Sequence, residues 1–413
     1  MCKTFLEAFP YEKPVTTPIP DCNGQDYANP AGCSRKKAPI SVSYASIDDS
    51  GILQKIQELP GHKLMSASLS IQIVCWNSAH ELAVTLLALT RSTFQDFEVL
   101  IHDNGSTDTS AEIAARFVRE REATGKRSIL TRSETNLGFC TPNNRLMNLA
   151  RAPWVLFLNA DCRPEPGALD ILMLENGRYP EVATFAPKIL EADGTGFESN
   201  GRINAFGLGM FADGLNRGAG AGQRDSGYLD AFPDVFCPSG AAGLYRRDTL
   251  IEVGGLTESY FAYGDDFDLG LKLRRAGHAC RRVPGARFFH RVSHSLGADN
   301  PLKYYFVERN RIYNLLRHYP SHLIARSPLT MLRRLPAIPK ALLTGDGQLA
   351  RTSRKEGPAG MVRTLVSADF DAFRRVRQLL AERAALEEKW PLDKGRFESW
   401  LHAYGLETAD AFR

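Results

Sequence analysis

The chain changes character at Ser68. Before it, residues 1–65 hold no sustained apolar periodicity, and "PVTTPIPDCNGQDYANPAGCSRKKAP" is rich in Pro, Gly, Asn and charge. That extension reads as extended chain or short strands and carries no assigned role. After it, "LSIQIVCWN" is a β-type run, and "HELAVTLLALTRS" places Leu82, Leu86 and Leu89 on one helical face. "FEVLIHD" predicts a second buried strand, followed by the turn "NGSTDTS" and the helix "AEIAARFVRERE". "SILTRS" predicts a third strand, and "TPNNRLMNLAR" a helix with a Thr cap and Pro at its first position. "WVLFLN" predicts the fourth strand and "PGALDILMLENG" the next helix. This alternation predicts an α/β fold, an open and mostly parallel sheet with helices on both faces. Such sheets bind ligands beyond the carboxyl ends of their strands.

Further along, the glycine-rich stretch 199–230 predicts a mobile loop over a site. "AAGLYRRDTLIEVGG" reads as strand then helix, and "DDFDLGLKLRRAGH" as an amphipathic helix. "ACRRVPGARFFHRVSH" predicts one or two short strands, and "PLKYYFVERNRIYNLLRHYP" a long helix. From Ser321 the reading is helical and basic. The expected organisation is an extension over 1–65, a catalytic unit over 66–320 and a helical region over 321–413.

Composition narrows the class. A chain of 413 residues has ample material for one large or two medium domains. A net charge of +4 over that length, without a long Lys/Arg run or zinc-finger spacing, argues against a nucleic-acid partner. The eight cysteines form no CxxC pair and read as free thiols in a reducing compartment. No signal-peptide pattern opens the chain and no apolar run reaches the length of a membrane span, which predicts a cytoplasmic protein. "SPLTMLRRLPAIPKALL" has two readings: a face for an anionic bilayer, giving peripheral contact with the inner side of the membrane, or an appendage packed on the catalytic unit or on a homo-oligomeric partner.

Two carboxylates end predicted strands on one edge of the sheet, Asp103 and Asp161. Each is read as a turn or N-cap residue, or as a ligand contact: Asp103 for a nucleobase or ribose, Asp161 for a divalent cation on a diphosphate. Asp265, Asp266 and Asp268 open a helix. Acids there complement the helix dipole, the reading adopted for Asp268, whereas neighbouring carboxylates in a desolvated cleft suit a general base. His290, with His294 shortly after, is an ordinary strand-end histidine or a metal ligand beside Asp161. "GLGMFADG" imitates a dinucleotide fingerprint without its strand–helix context and is discounted. Arg309 and Arg311 read as a solvated helix face or as forked donors to phosphate.

The motifs "VCWNSAHELAVTLLALTRSTFQDFEVLIHDNGSTD", "ETNLGFCTPNNRLMNLARAPWVLFLNAD", "PSGAAGLYRRDTLIEVGGLTESYFAYGDDFDLGLKLRRAGH" and "VERNRIYNLLRHYP", in that order, resemble family 2 glycosyltransferases, nearest to a rhamnosyltransferase-like branch of bacterial polysaccharide assembly. The likeness runs from about Leu69 to Tyr319. It implies a GT-A fold and an inverting transfer from a nucleoside-diphosphate sugar donor to a glycan or lipid-linked acceptor. By that resemblance Asp103 contacts the base or ribose, and Asn77, Asn104, Asn136, Gly138, Asn159, Ser239 and Gly240 line the nucleotide-sugar pocket. Asp161 matches the metal-binding acid for Mn or Mg, with His290 as a further ligand. Asp266 matches the catalytic base, with Asp265 where the family has Glu beside it. Arg309 and Arg311 match an R-N-R pattern with a diphosphate contact, and the segment around Gly218 to Gly227 closes over the donor. Asn159 departs from the family by standing where the fuller motif has its first Asp. Two other readings are a sugar-nucleotide nucleotidyltransferase and a catalytically silent sugar-nucleotide-binding protein.

Overall fold

The computed structural model describes residues 67–194, 196–291, 300–334 and 348–406. The expected extension over 1–65, His294 and the 335–343 part of the basic segment lie outside the described residues.

The first half runs β1 (Leu69–Cys75), α1 (Ala79–Thr90), β2 (Phe97–Asp103), α2 (Ser110–Ala123), β3 (Ser128–Arg132), α3 (Cys140–Leu149), β4 (Trp154–Leu158), β5 (Cys162–Pro164) and α4 (Ala168–Arg178). The second runs β6 (Thr184–Asp193), β7 (Glu198–Ala205), β8 (Leu208–Met210), β9 (Asn216–Gly218), β10 (Asp234–Val235), β11 (Ala242–Arg246), α5 (Arg247–Glu252), α6 (Asp265–Arg275), β12 (Cys280–His290) and α7 (Pro301–His318). The C-terminal helices are α8 (Ser321–Arg334), α9 (Gln348–Arg374, broken at Gly357), α10 (Val376–Lys389) and α11 (Lys394–Tyr404).

Among the described residues ten strands join one sheet, whose main path is β10-β12-β6-β11-β4-β1-β2-β3, with β5 on β12 and β7 on β6. β3, β2, β1 and β4 are mutually parallel, as the alternation predicts. β11 enters antiparallel between β4 and β6, and β12 then runs parallel to β6. Strand period sorts the core onto two faces. Leu156 and Leu158 of β4 join the cluster that takes Leu82, Leu86 and Leu89 of α1 and Leu169 and Leu172 of α4. Val155 and Phe157 of the same strand join the opposite cluster, with Leu146 of α3, Leu269 and Leu273 of α6 and Tyr313 of α7. Burial on both sides explains why these strands read as unbroken apolar runs. Each such side chain contributes about 1.5–3 kcal/mol on leaving water.

Three expectations need correction. The glycine-rich stretch 199–230 is not a free loop. It carries β7, β8 and β9, and the buried Lys188 ammonium pairs with Asp225 (2.9 Å) and Asp230 (2.6 Å), pinning it to β6. A lysine inside an apolar strand needs such partners, because an unpaired buried charge is costly. The segment expected as one or two short strands is the single strand β12, with a register shift between Val283 and Arg287. The helix expected to start on a Thr cap begins earlier, at Cys140, with Phe139 in the capping position.

The C-terminal helices dock on the catalytic unit. Ala372 of α9 and Leu379 of α10 join the cluster around Tyr313, while Phe397 and Trp400 of α11 pack with Tyr319 and Phe236. Arg383 caps the end of α7 by donating to the Tyr319 carbonyl (2.7 Å). Cys75, Cys140, Cys162, Cys237 and Cys280 are buried free thiols. Among the described residues no helix is long and apolar enough to cross a membrane.

Candidate active site

The carboxyl ends of β1, β2 and β4, the start of antiparallel β11 and the end of β12 share one edge of the sheet. That edge collects most of the candidate residues.

On the β1–β2 side the side chains are engaged with one another. Asn77, in a left-handed conformation (φ 46°), accepts from the Thr107 N–H (2.8 Å) and its own N–H donates to Ser106 Oγ (2.9 Å). Asp103 is fully buried, with Arg132 Nε 2.9 Å from Oδ2 and the Cys75 thiol toward Oδ1. Asn104 donates to Asn136 Oδ1 (2.9 Å) and the Gly138 carbonyl (2.8 Å), and it accepts from the Leu137 N–H (2.8 Å). Asn136 in turn accepts from the Gly138 N–H (2.8 Å). Asn104 thus ties the Asn136–Gly138 loop to the end of β2. Gly138 (φ 82°) lies so close to the Phe261 carbonyl that an added Cβ would stand 2.5 Å from it.

Asp161 lies one residue before β5, whose pairing with β12 sets Cys162 against His290. The loop is held by Thr85 Oγ1 donating to the Ala160 carbonyl (2.8 Å) and by the Arg291 N–H donating to the Asp161 carbonyl (2.9 Å). His290 Nε2 stands 3.2 Å from Asp161 Oδ1, and its Nδ1 stands 2.9 Å from Asn204 Oδ1. With the Nδ1 proton given to Asn204, the Nε2 lone pair and the carboxylate oxygen face each other, an arrangement that requires a proton or a cation between them. A separation near 3.2 Å is also that of two adjacent ligands around one ion with bonds of about 2.1–2.2 Å. The pair therefore fits a divalent cation, with Asn204 orienting the imidazole from behind. Among the described residues no cluster of three or more His, Cys, Asp or Glu side chains is placed to hold a metal. Mg²⁺ and Mn²⁺ bound through few protein ligands complete their shells with phosphate oxygens and water.

From Asp161 the edge continues to β11. The Asn159 N–H donates to the Ala241 carbonyl (3.0 Å), and the next N–H along, that of Gly240, donates to Asp266 Oδ2 (2.9 Å). Ser239 Oγ accepts from the Ala241 N–H (3.3 Å). A Cβ on Gly240 would stand 3.3 Å from that of Asp266, so a small residue is needed there. Asp266 Oδ1 also accepts from the Phe267 N–H (2.8 Å).

Burial pushes both Asp265 and Asp266 up from the ordinary carboxylate range, and the Asp266 charge pushes Asp265 further. The two backbone N–H bonds oppose the shift at Asp266. Asp266 is half-buried whereas Asp265 is buried, so Asp266 is the member that ionises first and meets solvent. The Tyr263 phenol is pushed up by burial and then by the charges of Asp161 and Asp265. Tyr263 therefore lies within electrostatic reach of both Asp161 and Asp265.

The segment before α6 is strained. Phe261 (φ 67°) and Tyr263 (φ 66°) are left-handed aromatic residues. Bulky side chains hold this conformation only where the surroundings impose it. Asn310 supplies the clamp. Fully buried on α7, its Nδ2 donates to the carbonyls of Tyr260 (3.1 Å), Ala262 (2.8 Å) and Tyr263 (2.6 Å). Arg309 adds a bond to the Tyr260 carbonyl (2.7 Å) and its guanidinium lies 4.9 Å from the Phe306 ring centroid. The Phe261 ring stacks on Phe306 at 5.1 Å.

The R-N-R pattern is not a solvated helix face: Arg309 is buried, with its donors on the Ser259 and Tyr260 carbonyls. Arg311 is buried against Glu308 and donates to the Asp213 carbonyl (2.9 Å). The residue between them, passed over in the sequence, is the one that shapes the cleft. Asn310→Ala is expected to lower stability by about 2 kcal/mol, because the Ala262 and Tyr263 carbonyls lose their Asn310 donor while the Tyr260 carbonyl keeps Arg309. It is also expected to reduce turnover more than donor affinity. Urea unfolding with steady-state kinetics checks both, and wild-type values in each would show the clamp to be dispensable.

Asp268 is also more than a dipole acid. Fully buried, it binds Arg317, His318 Nε2 (2.7 Å) and the Thr257 hydroxyl (2.6 Å), tying α6 to α7. The Arg317 and Lys272 charges and the His318 bond hold its carboxyl well below the usual range despite burial. A buried acid at the middle of a helix turn was the available signal.

Residues 70–254 match the family model described as Glycosyl transferase family 2. A Mycobacterium tuberculosis protein named N-acetylglucosaminyl-diphospho-decaprenol L-rhamnosyltransferase is 28% identical over 310 residues, 65% of this chain and 97% of that one. A Mycobacterium bovis PGL/p-HBAD biosynthesis glycosyltransferase is 39% identical over 92 residues, 22% of this chain and 34% of that one. The crystal structure of S. aureus TarS 1-349 in complex with UDP-GlcNAc aligns at a TM-score of 0.48 and 16% identity, covering 81% of this chain and 92% of that one. Residues 70–254 are a glycosyl transferase family 2 domain, and the chain is a glycosyltransferase.

Proposed function

We propose that the chain transfers a hexose, L-rhamnose first among candidates, from a nucleoside diphosphate to a hydroxyl of a lipid-linked sugar, with inversion at the anomeric carbon. The observation that carries the reading is the continuous edge from Asp161–His290 through Asn159 and Ala241 to Gly240 and Asp266. The name of the 28%-identical relative supports the sugar and the polyprenyl-diphosphate acceptor.

In this reading Asp161 and His290 hold a divalent cation, Mn or Mg, with Asn204 fixing the imidazole. When bound, the ion supplies Lewis-acid stabilisation to the departing diphosphate. Asp266 takes the proton from the acceptor hydroxyl, whose oxygen forms the new bond to the anomeric carbon as the bond to the diphosphate oxygen breaks. A single displacement gives inversion. Gly240 and Phe267 N–H groups hold the Asp266 carboxylate in place, and burial keeps its pKa above the ordinary carboxylate range. Asn77, Asp103, Asn104, Asn136 and Gly138 shape the nucleoside side of the cleft. Ser239 lines the sugar side.

The test is an assay of nucleotide sugars against a polyprenyl-diphosphate-linked N-acetylglucosamine. NMR should find the product's anomeric configuration opposite to the donor's, with nucleoside diphosphate released. Release of pyrophosphate in a parallel incubation with a nucleoside triphosphate and a sugar 1-phosphate would instead identify a nucleotidyltransferase, and donor binding without turnover a silent binder.

A pH dependence follows. The base works ionised, and burial raises the pKa of Asp266, so activity rises with pH through that raised value. The acid limb of kcat/KM should lie above the ordinary aspartate value of about 3.9. A limb at or below that value would contradict the assignment.

A further inference from the structure

Helix α9 carries an apolar stripe that is left exposed among the described residues. Val362 is 60% exposed, Val366 59%, Phe370 60% and Phe373 72%. Their spacing confines them to an arc of about 80° at 100° per residue. The opposite face of the same helix, with Met361, Ala368 and Ala372, is buried toward α7 and the core. Four large apolar side chains in one exposed row are far from the scattered single ones that soluble surfaces carry.

The charge around the stripe says what covers it. Arg363 and Arg374 flank it on α9, and exposed Arg375 and Arg377 follow at the start of α10. The Arg374 guanidinium lies 5.9 Å from the Phe370 ring centroid, so cation and ring share one surface. Among residues 359–381 no carboxylate is exposed. The two acids there turn inward: Asp371 accepts from the Tyr305 hydroxyl, and Asp369 sits beside Glu308 and Arg311. A two-fold pairing of this face with a second copy would bring arginines against arginines with no acid to answer them. Aromatic and aliphatic side chains flanked by arginines, with acids withdrawn, suit the interface of an anionic bilayer, where rings enter the acyl boundary and guanidiniums stay with phosphate headgroups.

We propose that the α9 face, Val362 to Phe373 with its arginines, is a peripheral docking surface for anionic phospholipid membrane. It differs from the basic segment 327–343 singled out in the sequence, and it stands whether or not the transfer reaction is as proposed. Tyr305 and Asp371 join this face to α7, the helix whose Asn310 clamps the cleft, so a docked bilayer bears on the element that shapes the active site.

The test uses the full chain with phosphatidylglycerol-containing vesicles and with pure phosphatidylcholine vesicles, by co-sedimentation. Binding to the anionic vesicles that weakens with salt is expected, together with a loss of at least about tenfold in Phe370→Ser/Phe373→Ser. Both rings are exposed, so the thermal midpoint of that variant should match the wild type. Equal binding by wild type and variant would overturn the proposal, as would equal binding to both vesicle types or none to either. A wild-type dimer in light scattering that the variant converts to monomer, without vesicle binding, would assign the face to a second copy instead.

Discussion

Asp266→Asn is expected to abolish transfer, lowering kcat by about 10³-fold or more while leaving donor affinity close to wild type. General-base catalysis alone accounts for about 10²–10⁴-fold. The amide keeps the shape of the carboxylate, and its oxygen can still accept from the Gly240 N–H, but it cannot take a proton from the acceptor. The substitution should also relieve stability, because burial works against the charged form of the native side chain. Activity falls while the thermal midpoint holds or rises, a combination that separates a lost base from a damaged fold. Isothermal titration with the donor and initial rates with acceptor check the two halves. Turnover near wild type would remove Asp266 from the chemistry, and a parallel loss of donor binding would place it in the donor pocket.

Asp161→Asn is expected to act on the other reactant. Its carboxylate faces His290 Nε2, and Asn159 stands where a second acid would complete the family's motif. Removing the charge should lower kcat/KM by about 10²–10³-fold, the scale of losing one electrostatic contact to a developing oxyanion. It should also shift the dependence on Mn²⁺ to higher concentration. His290→Ala should share the direction with a smaller effect, because one ligand of the pair remains. Rate against Mn²⁺ concentration in the three proteins checks this. Unchanged metal dependence in Asp161→Asn would detach the residue from any ion.

How much of this was legible in the sequence depended on whether the governing interaction was local. β1, β2 and β4 were visible because burial on both faces leaves an unbroken apolar run, and α6 and α7 because their apolar positions repeat with helical period. Asp161, Asp266 and His290 were found as a resemblance, and the fold brings them to one edge. The antiparallel entry of β11 was not legible, since strand direction is decided by pairing with β4 and β6, distant in the chain. The left-handed Phe261 and Tyr263 run against their own preferences in a segment held by distant partners, Asn310 on the Tyr260, Ala262 and Tyr263 carbonyls and the Phe139 N–H on the Phe261 carbonyl. Lys188 in "TFAPKIL" was a local hint that went unused: a cation in a buried strand announces partners elsewhere, here Asp225 and Asp230. The arginines of the R-N-R pattern stand out as charges, but both are buried, Arg309 on backbone carbonyls and Arg311 chiefly on the Glu308 carboxylate.

The most direct measurement is a crystal structure of the chain with Mn²⁺ and an unreactive donor analogue. The account predicts an ion about 2.1–2.2 Å from Asp161 and His290 Nε2, the analogue's diphosphate on that ion, and its anomeric carbon facing Asp266 across the cleft. Density for the diphosphate elsewhere, with the Asp161–His290 contact undisturbed and Asp266 remote from the sugar, would contradict it.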